Sequence, residues 1–120
     1  MKFNDLVREV HQTAKEKGWY QKERHPLEAH MLMVSEIAEA TEEARTDRPA
    51  VYVLRDGEVV SDASKFQPGE KPEGEAVELV DAIIRIADYF GYRDWNLEKV
   101  LTLKMEYNKT RSFRHGGKKY

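Results

Sequence analysis

The sequence predicts an all-α fold, a bundle of four to five helices interrupted by a short β-hairpin insertion. Apolar residues recur at helical spacing in four segments, and glycine or proline separates these segments. Residues 46–74, between the second and third segments, change to a strand-like pattern with a turn-forming Asp-Gly pair. The length of 120 residues suits one domain, so we expect a single helical domain over residues 1–120.

The first two helices are predicted from apolar periodicity together with residues that stop or start a helix. The first helix is expected over about residues 4–17, and Gly18 supplies its stop. Pro26 suits the first position of the second helix, which continues to about Arg45 without a helix-breaking residue. Because apolar positions cover more than half of its circumference, we expect the second helix to be central.

The insertion, residues 46–74, is predicted to form a hairpin followed by a loop. The apolar run 50–54 is strand-like, Asp56-Gly57 is a two-residue hairpin signal, and residues 59–60 would form the return strand. Prolines and glycines towards the end of the insertion predict a loop for the remainder.

The third helix is expected over about residues 75–90, where Gly91 ends it. It is apolar nearly all round, which predicts that it is buried. Asn96 is a suitable N-cap for the fourth helix, and residues 112–120 form a basic tail. The apolar residues expected on the inner face of the fourth helix are Leu97, Val100, Leu101 and Met105.

The composition excludes several classes of protein. The chain has no cysteine, which excludes disulfide scaffolds, zinc ribbons and thiol catalysis. Its 20 Lys and Arg against 22 Asp and Glu give a net charge of −2, so a nucleic-acid partner is not expected. The longest apolar-rich stretch, residues 82–90, contains two charges and is too short for a membrane span, and the first residues lack a signal-peptide core. We therefore expect a cytoplasmic protein without a membrane partner.

Two pairs of acidic residues interrupt the two helices that are expected to be most buried. Glu36 and Glu39 lie on the second helix, and Glu78 and Asp81 lie on the third. A separation of three residues puts the members of each pair on one helical face. Desolvation penalises unpaired carboxylates in such a place, so a divalent cation between facing helices would stabilise them.

The ligand types favour Mg²⁺, with Mn²⁺ as a substitute, because all four are hard oxygen donors and neither pair contains histidine. Mg²⁺ held by a few carboxylates commonly binds phosphates. Two alternatives stay open. The first pair is also typical of a solvated helix face, and Arg85, one turn beyond Asp81, would neutralise Asp81 in an ordinary ion pair. Two such pairs on two core helices favour the metal site.

The fourth helix adds positive charge. Lys104, Asn108 and Arg111 fall on one face, and from residue 104 onward six basic residues stand against one acidic residue. Such a face beside a metal-loaded acidic site suits a polyphosphate, because Lys and Arg bind the phosphate oxygens that the metal leaves free. A solvated basic end or a weak nucleic-acid patch is the alternative, and it is the better interpretation of the last few residues.

These motifs, in this order, resemble the MazG-like all-α nucleoside triphosphate pyrophosphohydrolases. The similarity extends over residues 35–40, 78–86 and 104–111, within 26–45 and 75–118. The resemblance implies the helical bundle of that family, usually assembled as a homodimer or homotetramer. It also implies Mg²⁺-dependent cleavage of an NTP or dNTP between the α and β phosphates, which gives a nucleoside monophosphate and pyrophosphate.

The resemblance further implies roles for individual residues. Glu39 is the carboxylate expected to orient the attacking water as general base, and Glu36 is the second catalytic candidate. The implied metal ligands are Glu36, Glu39, Glu78 and Asp81. The implied ligands of the phosphate tail are Lys104, Asn108 and Arg111.

Two positions depart from the family pattern, because Ser35 and Val77 stand where a further glutamate is frequent. A non-catalytic helical module that binds a nucleotide or a partner protein is therefore the alternative function. Trp19 and Tyr20 are candidates for base stacking, but core packing is the favoured interpretation of both aromatics.

Overall fold

The computed structural model describes residues 2–111, and the predicted basic tail, residues 112–120, lies outside this range. The described chain is mainly helical with one two-stranded antiparallel hairpin, which confirms the predicted class at this level. In chain order the elements are α1 (Phe3–Glu16), α2 (Pro26–Ala44), β1 (Val53–Arg55), β2 (Glu58–Val60), a 3₁₀ turn (Ala63–Lys65), α3 (Glu75–Arg93) and α4 (Leu97–Thr110). No helix in the described part is long and apolar enough to cross a bilayer.

Most helix boundaries follow from local signals in the sequence. Gly18, at φ 84°, takes the left-handed conformation that ends α1, and the Trp19 amide then donates to the Ala14 carbonyl at 3.1 Å. Pro26 is the first residue of α2, as predicted. The Asn96 side chain caps α4 by accepting, at 3.0 Å, from a backbone amide in its first turn.

Gly91 does not end α3, and the prediction that it would is wrong. The helix continues to Arg93 and ends where Asp94 takes the left-handed conformation, with φ 58°. The reason for glycine at position 91 is steric instead. A Cβ added to Gly91 would lie 2.6 Å from the Cβ of His11 on α1. The missing side chain therefore lets α1 and α3 approach each other closely at this point.

The hairpin forms where the sequence predicts it, with a shorter first strand. Asp56 and Gly57 have φ values of 52° and 82°, and two successive positive values are typical of a type I′ turn. The turn sets an antiparallel register in which Val53 lies opposite Val60. Residues 50–52, which belong to the predicted strand, lie outside β1.

Tyr52 anchors the insertion to the helices. Its backbone exchanges two hydrogen bonds with that of Glu73, at 2.9 and 2.7 Å, so the two ends of the insertion are joined. Its hydroxyl donates to the Glu43 carboxylate on α2 at 2.8 Å. Tyr52 and Val53 are the largest fully buried side chains of the described chain. Tyr52 and Val53 are consequently part of the core, whereas most other residues of the insertion are exposed.

The central helix is α3, not α2. It packs against both α2 and α1, whereas α4 packs mainly against α1. The buried residues of α2 and α3 are chiefly alanines, which allow the two helix backbones to approach closely. These alanines are Ala29, Ala40, Ala82 and Ala87.

The predicted burial of α3 is wrong for the chain taken alone. Val80 and Ile83 on α3 are 49% and 53% exposed. On α4, Val100 and Met105 of the expected inner face are also about half exposed. The physical reason is that the helices of one chain cover only part of the apolar surface that the sequence supplies. A large apolar surface therefore faces outward.

Candidate metal centre

The packing of α2 against α3 brings the four predicted carboxylates together. Glu36 and Glu39 are one turn apart on α2, and Glu78 and Asp81 are one turn apart on α3. Carboxylate oxygens of Glu36, Glu78 and Asp81 all lie within 4.8 Å of one another. Glu39 lies close to Glu78, and both residues line the same cavity. We call these four residues the acidic cluster.

The acidic cluster has a buried end and an open end. Glu36 is buried, Glu78 and Asp81 are half-buried, and Glu39 is exposed. At the open end lies a cavity of about 370 Å³. The residues that line this open cavity are Glu39, Glu42, Glu43, Thr46, Lys71 and Glu78. A ligand that approaches from solvent therefore reaches Glu39 first and Glu36 last.

Burial and the crowding of like charges raise the pKa of two members of the acidic cluster. Burial raises the pKa of Glu78 to about 7, and Glu39 and the charges of its other acidic neighbours add to the effect. The pKa of Asp81 is also raised, first by burial and then by Glu36, whereas Arg85 and Lys71 oppose the increase. The cluster thus has more negative charge than nearby cations neutralise, and it favours binding of a proton or a metal cation.

Arg85 pairs with Glu36 rather than with Asp81. Its Nε donates to Glu36 Oε1 at 2.7 Å, across the packed faces of α2 and α3. Its guanidinium also lies 5.0 Å from the centroid of the Trp19 ring, a distance typical of a cation–π contact. The ordinary Arg85–Asp81 ion pair considered from the sequence is therefore not the main contact, and one guanidinium faces four carboxylates.

The donor set of the acidic cluster fits a hard divalent cation. The group able to hold a metal ion consists of carboxylate oxygens from Glu36, Glu78 and Asp81, without a nitrogen or sulfur donor. Mg²⁺ prefers such oxygens and is commonly bound by a few carboxylates, with waters and phosphate oxygens as its other ligands. Glu39 is the member at the exposed end, where it lines the open cavity.

The three predicted phosphate ligands, on α4 and directly after it, make no described hydrogen bond or ion pair with the acidic cluster. Among residues 2–111, no hydrogen bond or ion pair joins α4 to the four carboxylates. The Lys104 ammonium and the Arg111 guanidinium instead lie 5.0 and 5.8 Å from the centroid of the Tyr107 ring. Asn108, like both of these residues, is exposed.

A second polar cluster lies between α1 and α3. Asp88 is buried, and its two oxygens lie 2.8 Å from Nδ1 of His11 and 2.5 Å from the Tyr20 hydroxyl. The Tyr20 ring also stacks on Tyr92 at 4.8 Å. The predicted packing role is confirmed for Tyr20. It is wrong for Trp19, which is 45% exposed beneath Arg85.

Sequence reasoning missed two features of these sites. Asp88, like Glu78, is an acid within a mostly apolar helix, so the sequence pattern could have identified it. Lys71 gives none, because a lysine in a loop of glycines and prolines is ordinary and only the fold brings it to the open cavity.

Comparison with known protein families, with curated proteins and with solved structures gave no match for this chain. The function is therefore argued from the geometry and charge of the acidic cluster, together with the motif resemblance.

Proposed function

We propose that this chain is a Mg²⁺-dependent nucleoside triphosphate pyrophosphohydrolase, which cleaves an NTP or dNTP to a monophosphate and pyrophosphate. The observation that supports the proposal is the convergence of four carboxylates that lack matching positive charge. Buried charges without partners cost stability, so a cluster of this kind points to a cationic ligand. The order of the motifs along the chain supports the same function. The proposed compartment is the cytoplasm.

In this proposal the side chains have distinct tasks. Glu36, Glu78 and Asp81 would hold the ion, and Arg85 would keep the Glu36 carboxylate oriented through its 2.7 Å contact. When bound, Mg²⁺ would neutralise phosphate oxygens and lower the pKa of water. Glu39 would accept a proton from the water that attacks the α phosphorus. The bond between the α phosphorus and the bridging oxygen breaks, and pyrophosphate leaves with the electron pair.

The proposal includes assembly with further copies of the chain, as a homodimer or homotetramer. The outward apolar residues of α3 and α4 would be covered in such an assembly. Lys104, Asn108 and Arg111 would then bind the phosphate tail from a neighbouring subunit. Sedimentation velocity of the purified chain tests this part, and a monomer at micromolar concentration would contradict it.

The test of the activity is pyrophosphate release from a panel of normal and modified nucleoside triphosphates, with Mg²⁺ or with a chelator. We expect turnover that requires Mg²⁺. E39Q and D81N should each lower the turnover at least ~100-fold, because they remove the base and a metal ligand. E28Q is the matched control, since Glu28 is an exposed glutamate on α2 that pairs with Arg24.

Absence of turnover on every nucleotide by folded protein would overturn the proposal, as would full activity of E39Q and D81N. The alternative, a module that binds nucleotide without hydrolysing it, is favoured by one local observation. Ser35, where the family often has a glutamate, is exposed and its hydroxyl donates to the Leu32 carbonyl at 2.6 Å. Calorimetric binding without product would support the alternative.

A further inference from the structure

The segment that leads into α3 is held on both sides of Lys71. On one side, the Glu70 carboxylate accepts two hydrogen bonds from the Arg55 guanidinium on β1, at 2.7 and 3.0 Å. On the other side, Glu73 exchanges two backbone hydrogen bonds with Tyr52. The backbone on both sides of Lys71 is therefore held by Arg55 and Tyr52, although the Lys71 side chain is exposed.

The fixed backbone directs Lys71 to the open cavity beside the acidic cluster. Lys71 lines this cavity together with Glu39 and Glu78. Its described ionic contact is loose, because its Nζ lies 3.8 Å from Glu73 Oε1 and its side chain is 83% exposed. A long side chain with a weak partner can exchange that partner for a ligand at little cost.

The negative charge around the open cavity calls for a second cation, besides a metal ion, if a phosphate tail is to bind there. Four glutamates line it, and the phosphate tail of a nucleoside triphosphate is itself strongly negative. A divalent cation bound deeper in the acidic cluster leaves the phosphate oxygens at the mouth facing those glutamates. Among the described residues that line the cavity, Lys71 is the cationic one.

We propose that Lys71 binds the phosphate tail of the metal-bound nucleoside triphosphate, so that the insertion supplies a substrate-binding residue to the site between α2 and α3. This inference rests on the proposed function and adds a specific task for residues 46–74. The lysine ammonium is a compact, strongly hydrated charge, which suits a phosphate oxygen at a solvent-exposed mouth. Its role is in binding the substrate, and the chemical step is left to the carboxylates.

The test compares K71Q and K71R with K65Q, which removes a charge from an exposed lysine of the same insertion outside the open cavity. The probes are the α,β-imido analogues of dATP, dCTP, dGTP, dTTP and dUTP with Mg²⁺, titrated by calorimetry. We expect K71Q to bind about 10-fold more weakly than the parent protein, because one charge-assisted hydrogen bond is lost. K71R and K65Q should bind the analogues with affinities within about twofold of the parent protein, because both variants keep a positive charge at position 71.

A second titration with Mn²⁺ alone separates substrate binding from an effect on the metal site. The Mn²⁺ affinity of K71Q should equal or slightly exceed that of the parent, because a cation near the acidic cluster is removed. The inference would be overturned if K71Q lost Mn²⁺ affinity and analogue affinity equally. It would also be overturned if K65Q lost as much analogue affinity as K71Q.

The two proposals fail in different ways. A parent protein that binds none of the analogues with Mg²⁺ overturns the proposed function and this inference with it. If the parent protein and K71Q bind an analogue equally tightly, only the proposed role of Lys71 is overturned.

Discussion

Asp88 and the acidic cluster both place carboxylates between packed helices, but the two sites differ in the number of donors that surround each carboxylate. Asp88, between α1 and α3, has a donor for each oxygen, one from His11 and one from Tyr20. The four carboxylates between α2 and α3 share the single guanidinium of Arg85, which contacts Glu36. The first arrangement pairs each carboxylate oxygen with a donor, and the second leaves like charges close together.

This difference gives a physical criterion for separating structural acids from functional ones. A buried carboxylate with a donor for each oxygen has its hydrogen bonds within the chain and fixes the positions of its neighbours. The Glu78 carboxyl group, whose pKa is raised to about 7 by burial and by its acidic neighbours, is destabilised when it ionises. The criterion is the balance of donors and charges around the acid, since both kinds of site are partly buried.

The largest expected effect comes from exchanging one acid in each region for its amide. D88N should lower the free energy of unfolding by about 3 kcal/mol, because an amide has one acceptor oxygen for two buried donors. E78Q should raise it by about 1 kcal/mol in a chelator at neutral pH, because it removes like-charge repulsion. Urea unfolding of both variants measures the two values.

Opposite signs of the change in unfolding free energy for D88N and E78Q would support the distinction between the two regions. A similar loss of stability in both variants would break it, because the acidic cluster would then be as structural as Asp88. The conservative D88E variant serves as control, since it keeps both acceptor oxygens while lengthening the side chain.

A smaller effect is expected where α1 meets α3. G91A should lower the free energy of unfolding by about 2 kcal/mol, because the new Cβ would collide with His11 and push α1 away from Asp88. G69A is the matched control, since Gly69 has a φ of 82° and nothing within 4 Å of an added Cβ. Its cost should be about 1 kcal/mol from backbone strain alone. Equal costs would show that the close approach of the helices contributes nothing.

The smallest effect is the pH dependence of the metal-free protein. The pKa of Glu78 is about 7 in the folded chain against an ordinary value of 4.5, so the folded state binds this proton more tightly. The contribution of Glu78 to stability is therefore greatest below pH 4.5 and is lost as pH rises towards 7.

Thermal unfolding from pH 5 to 8 in a chelator measures this contribution, with an expected decline on the order of a few °C that E78Q removes. Saturating Mg²⁺ should reverse the decline, because the ion replaces the proton and binds more tightly as Glu78 ionises. A decline that is identical with and without Mg²⁺ would argue against metal binding at the acidic cluster.

The parts of the molecule that the sequence predicts are those determined by nearby residues. Gly18, Pro26 and Asn96 mark helix ends through local backbone preferences, and Asp56-Gly57 determines the turn. Residue spacing likewise predicts that each acidic pair lies on one face, and the packing of α2 on α3 then brings both pairs together.

The parts that the sequence did not predict depend on contacts between distant segments. Gly91 gives the local signal of a helix stop. Its steric role cannot be found from neighbouring residues, because the side chain that it would clash with, His11, is 80 residues away in the chain. Arg85 could not be assigned to Glu36 from its own helix, where Asp81 is the neighbour. The outward apolar surface of α3 was missed because an apolar pattern predicts burial without identifying what covers it.

The hydrogen bonds at the base of the insertion also have a consequence for local opening of the chain. The Ala76 amide, in the first turn of α3, donates to the Ala50 carbonyl at 3.1 Å, and Tyr52 is bonded to Glu73 just before that turn. The first turn of α3 is therefore joined to residues 50–52 by hydrogen bonds. We expect the amides of Tyr52 and Ala76 to exchange with solvent as one cooperative unit that also includes Glu78. The lifetime of the acidic cluster would then be set by the closing of the insertion as well as by the packing of the two helices.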